Sequence, residues 1–179
     1  MYNLGEYFKI DCTKAKANDA AVIKGAKFRI TVLTERLIRL EYNENGIFED
    51  LPTQVAWNRS FNVPDFNSKN DEKMLEITTK YFKLLYNKEQ PFLGSKLNPI
   101  SNLSIQLLNT NKIWYYGHPE IRNLGAPLLN LNDLKGNMKL GKGLYSLDGF
   151  ASLDDSNSSV IDESGVVTDR KIKEIDIYV

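Results

Sequence analysis

Apolar and polar residues alternate with a period of two along most of this chain, and that alternation most limits what it can fold into. In Lys27–Leu33 (KFRITVL), Phe28, Ile30 and Val32 share one face, and Arg29 and Thr31 take the other. Leu37–Tyr42 (LIRLEY) sets Ile38, Leu40 and Tyr42 against Arg39 and Glu41, and Thr34-Glu35-Arg36 between the two runs is short enough for a hairpin. KMLEITT places Leu75 and Ile77 together, and YFKLLYN does the same for Phe82, Leu84 and Tyr86. NLSIQLL and KIWYYG flank Asn109-Thr110-Asn111, a second hairpin signal. SSVID and KIKEIDIYV read as late strands around the turn Glu163-Ser164-Gly165. FNVPDFNSKNDEK and NKEQPFLGSKLNP read as loops from their Pro, Asn and Gly content. No segment sustains a long amphipathic helix.

Many short strands with turn signals at close intervals predict an all-β chain, an antiparallel β-sandwich or a barrel. Nine tyrosines, eight phenylalanines and two tryptophans suit strand-rich packing. A length of 179 residues fits one domain burying about 70% of its unfolded surface, and no repeat, low-complexity tract or linker divides it, so 1–179 reads as a single domain.

Charge and cysteine content narrow the partners. Lys plus Arg and Asp plus Glu balance at 23 each, which leaves no electrostatic footprint for nucleic acid. No run of about 18 apolar residues occurs, so no membrane span is expected. The start, MYNLGEYFKIDC, lacks the basic and apolar regions of a signal peptide, and Cys12 is the only cysteine; both agree with a cytoplasmic protein.

Catalytic motifs are scarce. His118 is the only histidine, which excludes a two-histidine metal site, and it reads as an ordinary loop residue without a named partner. Phosphate-loop, dinucleotide and nucleophile-elbow patterns are missing, so no cofactor or metal is expected. Gly143–Ser158 (GLYSLDGFASLDDS followed by Asn157 and Ser158) gathers aspartates, serines and glycines. Asp154 and Asp155 are adjacent and on a strand would face opposite ways, so they could not flank one glycosidic bond. Asp and Ser in such runs bond to nearby backbone and close turns. Trp57 and Trp114 could stack on sugar rings or serve as core.

Several separate stretches, in order, resemble glycoside hydrolase family 31, the α-glucosidase and α-xylosidase family. They are Arg29–Thr34, Arg36–Glu41, Phe48–Asp50, Thr53, Asn58-Arg59, LEITTKYFKLLYN, NLGAPLLNLND, GLYSLDGFASLDDS and the closing KEIDIYV. The chain departs from the family pattern at Ala126-Pro127, Leu129, Asn132, Leu147 and Phe150. The resemblance implies an N-terminal, galactose mutarotase-like β-sandwich domain of a retaining α-glycosidase. The catalytic aspartates would lie in a (β/α)₈ barrel that this chain does not contain, so no catalytic residue is expected here. The implied partners are that barrel and an oligosaccharide substrate. Asp148, Gly149 and Phe150 are then the candidate substrate-binding residues on the pocket rim, with Asp154-Asp155-Ser156 orienting a turn. The other readings are a stand-alone carbohydrate-binding module, favoured by an exposed row of aromatics, and an aldose epimerase, opposed by the single histidine.

Overall fold

A computed structural model describes residues 11–88, 90–94, 101–126 and 140–179. Leu129 and Asn132, with the rest of the segment 127–139, lie outside the described residues, as do parts of the loop NKEQPFLGSKLNP and most of the MYNLGEYFKIDC start.

The described chain is all-β and antiparallel, with two short 3₁₀ turns at Cys12–Ala15 and Asp19–Ala21 as its only helical pieces. Its strands are β1 (Val22–Lys24), β2 (Phe28–Thr34), β3 (Leu37–Tyr42), β4 (Asn67–Asn70), β5 (Met74–Thr78) and β6 (Phe82–Asn87). They continue as β7 (Leu103–Leu107), β8 (Ile113–Tyr115), β9 (Leu153–Asp154), β10 (Val160–Ile161), β11 (Val167–Thr168) and β12 (Ile175–Tyr178). One five-stranded sheet runs β1-β2-β3-β12-β9, another runs β4-β5-β6-β7-β8, and β10 with β11 forms a small ribbon. Both main sheets are antiparallel and each buries an apolar face, the all-β class that the alternation predicts. The chain divides into two compact units: one runs up to Asp65 and resumes at Asp154–Tyr178, and the other spans Phe66–Leu153.

In the first unit, β2 and β3 form the expected hairpin around Glu35-Arg36, with a bulge between Val32 and Thr34. Phe28, Ile30, Val32, Ile38, Leu40 and Tyr42 are buried, as their alternation requires. The opposite face differs from a plain amphipathic strand. Thr31, Arg39 and Glu41 are buried as well, because the chain from Glu49 to Arg59 bonds onto that face. The late strands separate: Val160–Ile161 pairs with Val167–Thr168 across the predicted turn, whereas Ile175–Tyr178 pairs with β3.

In the second unit, Leu75, Ile77, Leu84 and Leu103 are fully buried, and Tyr86 meets Phe92 edge to face at 5.1 Å. The β7–β8 hairpin forms as expected, with Asn111 in the left-handed region at φ 57°. One reading is corrected. Asn67–Asn70, inside a stretch read as loop, is a strand on the sheet edge, paired to β5 from Asn67↔Thr78 to Asn70↔Leu75. All four residues are exposed, so backbone hydrogen bonds hold the strand and no apolar alternation marks it.

Candidate functional site

The predicted rim residues lie in the second unit, in a turn shaped by glycine. Gly149 has φ +79°, its amide donates to the Ser146 carbonyl at 3.3 Å, and an added Cβ would meet only Leu107 Cδ1, at 3.6 Å. The glycine is needed for the backbone angle and not for space. Asp148 receives Lys112 Nζ at 3.3 Å and Arg122 Nη1 at 3.4 Å, both on Oδ1, and its amide donates to Ser146 Oγ at 3.0 Å. These contacts fix the carboxylate and leave Oδ2 without a hydrogen-bond partner among the described residues. Phe150 is half-buried, and its ring meets His118 edge to face at 5.0 Å.

His118 is therefore more than a solvated loop residue. It follows Gly117 (φ +85°) and is held between Phe150 and the Tyr115 ring, 4.8 Å away. The Glu120 amide donates to its Nδ1 at 2.9 Å, so in the neutral ring the proton sits on Nε2. Burial pulls its pKa below the ordinary histidine value, against the opposing pull of Glu120 and Asp148. Glu120 adopts φ +47°, an unusual angle for a residue with a side chain, and is 4% exposed. Its carboxylate accepts Lys142 Nζ at 2.9 Å, and Ser152 Oγ donates to the same oxygen. Burial raises the Glu120 pKa, but the hydrogen bonds from Lys142 and Ser152 outweigh it and hold the group below the usual glutamate range. Lys142 also donates to Ser152 Oγ at 2.7 Å. An open cleft of about 400 Å³ lies beside this cluster, lined by His118, Glu120, Asn123, Leu124, Leu140 and Lys142 among others.

Next to the rim turn, 122–126 and 141–147 run antiparallel. Leu124 donates to Tyr145, Leu147 donates to Arg122, and Ala126 bridges Gly141. Close packing at Gly143 fixes this ribbon, since a Cβ there would sit 2.5 Å from the Gly125 carbonyl oxygen. The ribbon and its immediate flanks expose Ile121 (85%), Leu124, Leu140, Leu144, Tyr145 (79%) and Leu147. Six large apolar side chains exposed on one short ribbon differ from the scattered exposed leucines normal on any surface.

Asp154 and Asp155 differ in burial, and only Asp154 belongs to β9. Asp154 is exposed and accepts from the Ser156 amide at 3.1 Å. Asp155 is fully buried in the first unit, where Oδ2 accepts from Thr53 Oγ1 at 2.9 Å. Neither meets the other across an open site, so both serve the local structure. Trp114 is buried at 2% exposure, whereas Trp57 is 46% exposed.

The first unit holds a charge network that the sequence did not reveal. Arg29 grips Glu41 with Nε and Nη2, both at 2.7 Å, and reaches Asp50 with Nη1. Arg39 grips Asp176 in the same two-pronged way at 2.8 and 2.7 Å. Arg170 joins Glu174 at 2.8 Å and Asp176 at 3.2 Å. Oxygens of Glu41, Glu174 and Asp176 converge within 4.8 Å of one another, but arginines already occupy them. Burial pushes the Glu174 carboxyl up to about 7, with Glu41 adding to the shift. Alternating Arg and Glu on β2 and β3 was the visible trace of this network; the partners on β12 were not visible.

The chain matches no family model and no curated protein sequence. Among the described residues no helix is long and apolar enough to cross a membrane.

Proposed function

We propose that this chain is an accessory β-domain of a retaining α-glycosidase of the glycoside hydrolase family 31 type. It docks on the catalytic (β/α)₈ barrel and lends the Asp148–Phe150 turn to the rim of the sugar pocket. The observation that carries the reading is the apolar ribbon of Ile121, Leu124, Leu140, Leu144, Tyr145 and Leu147, continuous with that turn. A contact between domains of one chain amounts to roughly 600–1,500 Å², and exposed apolar residues beside a shaped polar turn are what such a contact would cover. At the turn, Asp148 Oδ2 is available to accept from a sugar hydroxyl, and the half-buried Phe150 ring, braced by His118, can cover the apolar side of a sugar ring. The catalytic carboxylate pair belongs to the barrel, so the chain by itself turns over no glycoside. The substrate is an oligosaccharide ending in α-linked glucose, and the enzyme works in the cytoplasm, in keeping with the unpaired Cys12.

A stand-alone carbohydrate-binding module has weaker support. Burial of Trp114 leaves Trp57 as the one exposed tryptophan, which makes no aromatic row by itself.

Kinetics of the enzyme carrying this domain test the proposal. Asp148→Ala and Phe150→Ala should change KM and the preference between maltose and isomaltose by about two- to tenfold, the scale of one hydrogen bond or stacking contact. Removal of a nucleophile would instead cost orders of magnitude in kcat. Unchanged constants on both sugars, with lowered thermal stability, would leave the turn purely structural and sink the rim assignment.

A further inference from the structure

His118 is the one histidine of the chain, so it is the one side chain whose ordinary charge change falls between about pH 5 and 8. Its place in the second unit ties that charge to two turns. Nδ1 accepts from the Glu120 amide at 2.9 Å, and the ring meets Phe150 at 5.0 Å and Tyr115 at 4.8 Å, edge to face in both cases. The imidazole thus connects Phe150 with β8 and with the turn that follows it.

Protonation of the ring is incompatible with this arrangement. An imidazolium donates from both nitrogens, so Nδ1–H would face the Glu120 N–H and the bond between them would be lost. That bond also helps to hold a strained backbone. Glu120 stands at φ +47° beyond Gly117 at +85°, and a residue with a side chain keeps the left-handed region only where its surroundings fix it. The charges around the ring oppose one another. Burial disfavours the charged imidazole, Glu120 and Asp148 favour it, and Lys142 disfavours it, which leaves the pKa below the ordinary histidine value. Lys142 pairs with Glu120 at 2.9 Å, and Lys112 and Arg122 both bond Asp148 Oδ1, so each carboxylate has part of its pull offset. From β8, Tyr115 meets the imidazole with its ring.

We propose that His118 is a pH-sensitive latch on the Phe150 ring. The neutral imidazole accepts the Glu120 amide and holds Phe150 in place. The imidazolium gives up the amide, lets Glu120 leave the left-handed region and releases Phe150. The element with two arrangements is the turn from Gly117 to Glu120. The folded state binds this proton less tightly than the unfolded state. The closed latch therefore adds stability above pH of about 6.5, and that stability is lost as pH falls through the lowered midpoint. The inference rests on the rim assignment only for its consequence, a Phe150 ring set for sugar at neutral pH and loosened in acid; the latch itself is a property of this chain.

Nuclear magnetic resonance of the isotope-labelled chain tests the latch, and a single histidine leaves no doubt about which ring is titrating. Above neutrality the ring nitrogens should report the Nε2–H tautomer, and the ring should titrate with a midpoint below 6.5. The nuclear Overhauser contact between the His118 and Phe150 rings should be present above that midpoint and lost below it, with the Glu120 amide shift following the same curve. Phe150→Leu identifies the Phe150 signals. His118→Asn is the conservative variant: its Oδ1 can accept the amide two residues on, and it does not titrate. In it the Glu120 and Phe150 signals should lose their pH dependence between about pH 5 and 8. The same step surviving in His118→Asn would assign it to another group and overturn the proposal. So would an Nδ1–H tautomer, a midpoint at or above 6.5, or a ring contact that persists below the midpoint. If His118→Asn fails to fold, the wild-type tautomer, midpoint and ring contact decide the matter. In the enzyme carrying this domain, KM should rise about two- to tenfold as pH falls through the same midpoint, the scale of one stacking contact, and should not do so in His118→Asn. A latch seen by resonance with KM indifferent to pH upholds this inference and counts against the rim assignment alone.

Discussion

At Gly149 the chain needs a backbone angle that side chains resist, and it needs nothing else from the glycine. Gly149→Ala places its Cβ in ordinary contact with Leu107, so the penalty is the angle alone, about 1–2 kcal/mol. Urea denaturation should show that loss; an unchanged midpoint would mean that the turn does not hold φ +79° in solution. Glu174 makes a second residue-scale prediction. Burial pushes its carboxyl up to about 7 in the folded protein, against an ordinary value of 4.5. The folded state therefore holds this proton more tightly than the unfolded state. Its contribution to stability is full below pH of about 4.5, declines as pH rises, and is lost above about 7. Glu174→Gln should leave the Arg170 and Glu49 contacts in place and remove that decline. The difference in unfolding free energy between variant and wild type should then grow in the variant's favour from pH 5 to 8; a constant difference would show that Glu174 ionises normally.

The β2–β3–β12 sheet is unusual in burying charge on one of its faces. Removing one partner from a buried ion pair leaves an uncompensated charge, at a cost of about 3–5 kcal/mol. Arg39→Met should destabilise toward that scale, because Asp176 loses its two-pronged partner and keeps, among the described residues, only its ion pair with Arg170, at 3.2 Å. Arg39→Met with Asp176→Leu should recover a good part of the loss, because two apolar groups replace both ends of the pair. Chemical denaturation of the two variants checks this, and equal losses in both would show that the pair carries no coupling. The same sheet shows which features could be read from the sequence. Phe28, Ile30, Val32, Ile38 and Leu40 announce β2 and β3 because burial repeats every second residue. Burial of Arg39 was not readable, because its partner Asp176 lies 137 positions away and only the folded register brings them together. Asn67–Asn70 leaves no strand signal in the sequence for the opposite reason: an exposed edge strand has no buried face to leave a pattern. At the candidate site, Gly149 signalled its own turn, whereas the ring contact between His118 and Phe150 depends on tertiary placement that spacing does not encode.

At the scale of the whole molecule, the ribbon around Leu144 and Tyr145 is the part of the surface whose exposure calls for an explanation. If it is a docking face, it should also cause the chain to self-associate when nothing covers it. Leu144→Asp and Ile121→Ser place polar groups on two residues that are 64% and 85% exposed, so neither should lower folding stability by more than about 0.5 kcal/mol. Both should reduce self-association in sedimentation velocity, and a wild-type chain that stays monomeric at all concentrations would count against the interface. The most direct measurement is reconstitution. This chain is mixed with a separately produced (β/α)₈ barrel of the kind the proposed function assigns as its partner, taken from the protein that carries this domain, and complex formation and hydrolysis of an aryl α-glucoside are followed together. A stable complex that Leu144→Asp disrupts, with hydrolysis by the mixture and none by this chain alone, is the predicted result. A parent protein without such a barrel, or a barrel that ignores this chain, would contradict the proposed function.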